Sequence, residues 1–172
     1  MILLITGNGK GKTTSALGQA LRAVGDGRRV LMVQFIKGPW RSGEDDAQLL
    51  LRPWFHLRKT GLGFVGILGD ALPLDEHRKA ARAGLVMAQE EMLSGKWDTL
   101  ILDEVNNAIH LDLLDIADVV ALVRALPEGM DLVLTGRDAR QELSDLADIV
   151  SEVQEVKHPY QQGQKGKKGM EW

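Results

Sequence analysis

The chain has 172 residues, of which 44% are hydrophobic and 26% charged, the balance of one soluble globular domain large enough to bury its own core. A net charge of −3 argues against a general nucleic-acid binder, and the absence of cysteine excludes disulfide frameworks and thiolate metal sites. No apolar stretch is long enough to span a bilayer, and Met1 runs almost at once into the first strand, leaving no room for a signal peptide. The expected protein is therefore cytoplasmic, with neither membrane nor nucleic acid as a partner.

Residues 2–5 are an apolar run that breaks into Thr6-Gly-Asn-Gly-Lys-Gly-Lys-Thr-Thr14. Gly7, Gly9 and Gly11 allow the backbone to turn several N–H groups into one concavity, and the following helix aims its positive end there. This is a phosphate-binding loop, with Lys12 placed for the outer phosphates and the Thr13 hydroxyl for Mg²⁺. Thr6 departs from the G-x-x-x-x-G-K-[ST] spacing, standing where the first glycine is usual. The alternative is a chance glycine turn; the strand before and the helix after are the context that favours the motif.

Ala16, Leu17, Ala20, Leu21 and Val24 share one face of a helix over 13–24, ended by Gly25 and Gly27. A strand over 30–36 reads as buried on both sides. A short helix at 44–52 and a short strand at 55–58 follow, then a glycine-rich loop from Thr60 to Asp70. The longest helix is predicted over 75–94, acidic at Asp75 and Glu76 and closed by Gly95. A strand at 99–102 runs into Asp103-Glu104. Beyond it come a helix at 115–126, a strand at 131–134 that leads into Thr135-Gly136-Arg137, a helix at 138–147 and a strand at 149–156. The α/β domain thus covers 1–157, and a polar, glycine-rich tail at 158–172 is expected to be partly mobile.

Strands alternating with helices imply a parallel sheet covered on both faces, with ligands bound beyond the carboxyl ends of the strands. The phosphate loop, the segment after Ile36, Asp103-Glu104 and Thr135-Gly136-Arg137 all fall at such ends and should converge. Asp103 and Glu104 suit Mg²⁺ held directly or through water, although Asp103 capping the next helix is the structural alternative. Arg137 suits phosphate, or equally a surface salt bridge. Lys37 could touch nucleotide, although an exposed strand-end lysine is just as ordinary. The four histidines lack metal-ligand spacing, and His77, on a charged helix, reads as solvated. Trp40 and Trp54 flank a region where a flat ligand could dock, although packing is the commoner fate of a tryptophan. The Lys165–Lys168 cluster reads as solvated tail.

Taken in order, Thr6–Thr14, Val33-Gln-Phe-Ile-Lys-Gly38, Leu102-Asp-Glu104, Thr135-Gly-Arg137, Asp145-Leu-Ala-Asp148 and Val156-Lys-His158 resemble the ATP:corrinoid adenosyltransferase family of the phosphate-loop type. The resemblance covers nearly the whole chain, and the family shares the threonine at the sixth position. It implies a single-domain, phosphate-loop NTPase-like (RecA-like) α/β fold with a mostly parallel sheet. It also implies transfer of the 5′-deoxyadenosyl group of ATP to a cobalt(I) corrinoid, with triphosphate leaving whole.

On matching positions the nucleotide set would be Thr6, Gly7, Asn8, Gly9, Lys10, Gly11, Lys12, Thr13 and Thr14, with Lys37 and Arg137. Thr13, Asp103 and Glu104 would hold Mg²⁺ or Mn²⁺. Lys12, Glu104 and Phe64 would stand closest to the chemistry. A homodimer and a flavoprotein reductant are implied as partners. Two departures stand out. Family members often begin with an extra N-terminal helical segment, whereas this sequence opens at the strand. The family's corrinoid-side loop reads Gly-Phe-Thr-Trp-Glu, with aromatics that crowd out the lower axial ligand of cobalt. Here it reads Gly63-Phe-Val-Gly-Ile67, so Phe64 keeps its aromatic and Gly66 replaces the tryptophan. Trp40 or Trp54 could compensate.

Overall fold

Each strand-length apolar run of the sequence enters one sheet. The structure is a computed structural model that describes residues 1–38, 40–67, 70–159, 163 and 166–170. The first half of the chain forms β1 (Ile2–Thr6), α1 (Lys12–Gly25), β2 (Val30–Gln34), α2 (Gly43–Leu50), β3 (Phe55–Lys59) and α3 (Leu74–Leu93). The second half forms β4 (Thr99–Asp103), α4 (Val105–His110), α5 (Ile116–Arg124), β5 (Asp131–Thr135), α6 (Gln141–Leu146) and β6 (Ile149–Glu152). The sheet order is β3-β2-β4-β5-β1-β6, and all of its pairings are parallel.

Alternation along the strands divides the core into two layers. Leu4, Leu31, Val33, Leu100, Leu102, Leu132 and Leu134 face α3, α4, α5 and α6. Ile5, Val30, Met32, Ile101 and Val133 face Ala16 and Ala20 of α1. Every residue of β2 and β4 is buried, as befits central parallel strands covered on both sides. Each fully buried leucine or valine contributes about 1.5–3 kcal/mol.

The strand order positions the site. Four adjacent strands, β2, β4, β5 and β1, end in the segment leading to Lys37, in Asp103-Glu104, in Gly136-Arg137 and in the phosphate loop. Neighbouring strands lie about 4.8 Å apart, so their carboxyl ends gather along one edge.

Several boundaries differ from the sequence reading. β2 stops at Gln34, yet Phe35 and Ile36 stay buried because the 60–61 backbone folds over them: Thr60 N and Gly61 N both donate to Gln34 O. The last strand stops at Glu152, since the next residues leave the sheet edge to embrace the phosphate loop. α4 was not anticipated. It is six residues long and carries two asparagines, poor helix formers, and burial of Val105, Ala108 and Ile109 holds it. His77 is not solvated: it is 3% exposed and heads the buried α3 stripe of Ala81, Gly84, Ala88 and Met92. The tail reading at 158–172, with Lys165, lies partly outside the described residues.

Candidate active site

The glycines of the phosphate loop answer two demands. Gly7 and Gly11 have φ of 97° and 126°, a region that L side chains rarely adopt. Gly7 and Gly9 also lie under the chain leaving β6. A Cβ on Gly9 would stand 2.6 Å from Gln154 O, and one on Gly7 would stand 2.5 Å from Val153 O. Hydrogen bonds close this contact, from Gly9 N to Val153 O (2.7 Å) and from Val153 N to Thr6 O (2.8 Å). α1 then starts with no side-chain cap and no acidic residue in its first turn. Its leading N–H groups and its dipole are therefore available to an anion.

Lys12 Nζ donates to Gly9 O at 2.8 Å, spanning the loop. Burial, then the Arg137 charge, holds this lysine below its ordinary value. Asn8, Lys10 and Thr14 are exposed. The Thr6 hydroxyl instead accepts from Ala139 N (3.4 Å), bracing the turn that carries Arg137.

Asp103 is the hub. It is fully buried at the end of β4, and three donors converge on its carboxylate. Thr13 Oγ1 (2.9 Å) and Thr135 Oγ1 (2.7 Å) reach Oδ1, and Gln34 Nε2 (3.0 Å) reaches Oδ2. Burial raises its pKa, and these hydrogen bonds oppose the rise. Asp103 does not cap the following helix, because Glu104 occupies that position.

Glu104 has φ 61°, unusual for a residue with a side chain, and its N–H donates to Thr135 Oγ1 at 2.8 Å. Thr135 thereby fixes both acidic residues at once. Burial, and then the neighbouring Asp103 charge, pushes the Glu104 carboxyl up to about 7, against the opposing pull of Lys37, Lys12 and Arg137. The residues expected to converge do share one electrostatic neighbourhood.

Lys37 is tied in by a second arm. Its Nζ donates to Glu44 Oε1 at 2.5 Å, and Gln34 Nε2 bridges Glu44 Oε1 (3.3 Å) and Asp103. Both of those neighbours are acceptors, so the Gln34 amide nitrogen must face them. Burial lowers Lys37, but Glu44 and the Asp103 charge outweigh it, leaving the ammonium above its ordinary value. Arg137 sits on a turn held by α4. Its N–H donates to Asn107 Oδ1 (2.9 Å), and a Cβ on Gly136 would strike that oxygen at 2.6 Å.

Beside this polar edge stands an aromatic one. The Trp40 and Phe64 rings lie 5.5 Å apart at 32°, with the two residues 59% and 44% exposed. Gly63 and Gly38 make room for the indole, since a Cβ on either would approach it within about 3 Å. Trp54 is elsewhere: its carbonyl accepts from Val30 N, at the amino end of β2, on the opposite edge of the sheet.

Sequence reasoning missed Gln34, Glu44, Asn107 and Asn106, whose Nδ2 donates to Gly136 O at 3.4 Å, and left Thr135 without a role of its own. A glutamine closing an apolar strand, and asparagines following an acidic pair, were the available signals.

The family model described as ATP:corrinoid adenosyltransferase BtuR/CobO/CobP matches residues 1–172. The corrinoid adenosyltransferase of Escherichia coli strain K12 is 36% identical over 143 residues, covering 83% of this chain and 70% of that protein. The one from Salmonella typhimurium strain LT2 is 35% identical with the same coverage, and that of Pseudomonas aeruginosa is 33% identical over 81% and 68%. Among solved structures, a KaiC-like protein of Pyrococcus horikoshii shares the fold, with a TM-score of 0.52 at 17% identity over 91% of this chain and 74% of that one. The chain belongs to the ATP:corrinoid adenosyltransferase family.

Proposed function

We propose that this chain transfers the 5′-deoxyadenosyl group of ATP to a cobalt(I) corrinoid, forming adenosylcobalamin or a related adenosylcorrinoid. The observation that supports this most is the pairing of two unlike surfaces along one edge. A cationic, glycine-lined cradle suits triphosphate, and the exposed Trp40–Phe64 pair suits a large, flat, apolar ligand.

In the reaction the cobalt(I) of the substrate gives its electron pair to C5′, the C5′–O5′ bond breaks, and triphosphate leaves with that bond's electrons. The nucleophile belongs to the substrate, so the protein positions C5′ and stabilises growing negative charge. Lys12 and Arg137, with the α1 N–H groups, would act on the departing phosphates. Lys37 would add charge from the β2 side.

The Thr13 hydroxyl, the Asp103 carboxylate 2.9 Å away and the adjacent Glu104 offer the hard oxygen donors that Mg²⁺ or Mn²⁺ takes. Among the described residues no group of three His, Asp or Glu side chains forms a self-sufficient cage. Phosphate oxygens would therefore complete the shell, as is usual for Mg²⁺. The cation would supply further charge neutralisation on the triphosphate.

No helix of the described residues is long and apolar enough to cross a membrane. Separately, the family likeness supports reading the chain as a cytoplasmic homodimer served by a flavoprotein reductant. The test is incubation with ATP, Mg²⁺ and a strongly reduced corrinoid. A cobalt–carbon spectrum together with intact tripolyphosphate is the expected result. ADP and phosphate formed regardless of corrinoid would instead identify a hydrolase, and nucleotide binding with no turnover a carrier.

A further inference from the structure

The loop that carries Phe64 is pinned at both ends. At its start, Thr60 N (2.9 Å), Gly61 N (3.3 Å) and Thr60 Oγ1 (3.2 Å) all donate to Gln34 O. Gly61 is pressed so closely on β2 that a Cβ would stand 2.3 Å from Phe35 O. At its end, Asp70 gathers three partners on one carboxylate. Oδ2 accepts from Gly66 N (2.8 Å) and lies 3.0 Å from His77 Nε2, while Oδ1 accepts from Leu72 N (3.0 Å).

The Asp70 and His77 side chains are 8% and 2% exposed, and the backbone hydrogen bonds from Gly66 and Leu72 hold the Asp70 pKa below its ordinary value. His77 belongs to the buried stripe of α3, so its ring is fixed by the core. The clasp therefore references Gly66 to the helix layer. Gly66, the residue it holds, lies two positions from Phe64, whose ring rests beside Trp40. The Asp70 and His77 side chains make none of the hydrogen bonds described for Thr13, Asp103 and Glu104.

We propose that Asp70 and His77 are positioning residues for the corrinoid: their clasp sets the placement of Phe64 against Trp40 and so governs corrinoid affinity independently of ATP. The proposal rests on the adenosyltransferase reading. Loss of the clasp frees Gly66 and with it Phe64, and the bound corrinoid must then restore their placement at the expense of affinity.

The test titrates the protein with cob(II)inamide in the presence of MgATP under anaerobic conditions, following the cobalt absorption spectrum, and measures MgATP binding separately by calorimetry. His77→Ala and Asp70→Asn are each expected to weaken corrinoid binding about tenfold while MgATP binding stays within about twofold. His77→Gln keeps a side-chain N–H for Asp70 and should recover most of the loss. Unchanged corrinoid binding in both weakened variants, or equal losses on both ligands, overturns the proposal, the second because it marks a merely structural role. A parent protein that binds MgATP and no corrinoid overturns the functional reading itself, an outcome separate from any behaviour of the variants.

Discussion

The Thr13 hydroxyl donates to Asp103 Oδ1 at 2.9 Å, joining residues 90 positions apart across the start of α1 and the end of β4. This bond sets the distance between the phosphate loop and the acidic pair. Asp103 accepts from Thr135 and Gln34 as well, and an amide in its place would turn an N–H₂ towards at least one of these donors. Asp103→Asn is expected to weaken MgATP binding about 10- to 100-fold, the range for loss of a group that orients a metal site. Calorimetric titration with and without Mg²⁺ measures it; an affinity equal to that of the parent would remove Asp103 from the site.

Lys12 is held half-buried by Gly9 O and faces Arg137 and both carboxylates. Lys12→Ala should lower adenosyl transfer by roughly 10²–10³, comparable to deleting a preorganised donor at a developing negative charge. Single-turnover kinetics with reduced corrinoid reads this directly. Near-normal turnover would contradict the assignment of the loop.

Most of this site was legible because its residues sit at strand ends, where apolar runs stop abruptly. The run Thr99–Leu102 before Asp103-Glu104 announces both a buried strand and what it delivers. The second arm, from Lys37 through Glu44 and Gln34 to Asp103, was not legible. Its members are 7, 10 and 69 residues apart: α2 returns Glu44 to the end of β2, and the pairing of β2 with β4 sets Gln34 beside Asp103. His77 was misread for a different reason. Charged neighbours dominate its surroundings in sequence, while its spacing to Ala81, Gly84 and Ala88 places it on the inner face of α3.

Glu104 carries a pH signature. Its carboxyl titrates near 7 in the folded chain against an ordinary 4.5, so the folded state holds the proton more tightly. The stability this confers is fully present below pH 4.5 and is lost as pH rises through about 7. Glu104→Gln should remove that decline and stabilise the nucleotide-free protein at pH 8 by up to about 3 kcal/mol, while lowering adenosyl transfer. Urea midpoints at pH 5 and pH 8 check the first part. A variant as pH-dependent as the parent would place the titration elsewhere.

Two glycine substitutions separate close packing from helix propensity. A Cβ at Gly9 meets the Gln154 carbonyl at 2.6 Å, whereas one at Gly18, in the interior of α1, meets nothing among the described residues within 4 Å. Gly9→Ala should destabilise by about 1–3 kcal/mol and weaken ATP binding, because the 153–154 chain must withdraw from the loop. Gly18→Ala should stabilise by about 0.5–1 kcal/mol. Thermal unfolding of both variants decides it, and similar shifts would mean the loop does not feel the chain leaving β6.

The resemblance of Gly63–Ile67 to the family's corrinoid-side loop would put Gly66 in the place of a tryptophan, and the structure shows what constrains a replacement there. Among the described residues a Cβ there meets nothing within 4 Å; the backbone is the constraint, with φ at 69°. A side chain in that region costs about 1–2 kcal/mol, so Gly66→Ala isolates the backbone cost and Gly66→Trp adds the ring. The expected result is that Gly66→Trp alters corrinoid affinity or the cobalt spectrum well beyond Gly66→Ala, with ATP affinity the same in both. Trp40→Ala supplies the complement: its ring is largely exposed, so stability should change little, while corrinoid binding should fall if the indole serves beside Phe64 as the second aromatic. Placing Gly66→Trp in the Trp40→Ala background tests the exchange directly. Recovery of corrinoid binding there would mean either position can present the indole. No recovery would mean that Trp40, seated on Gly63 and Gly38, offers an orientation the 66 position cannot reproduce.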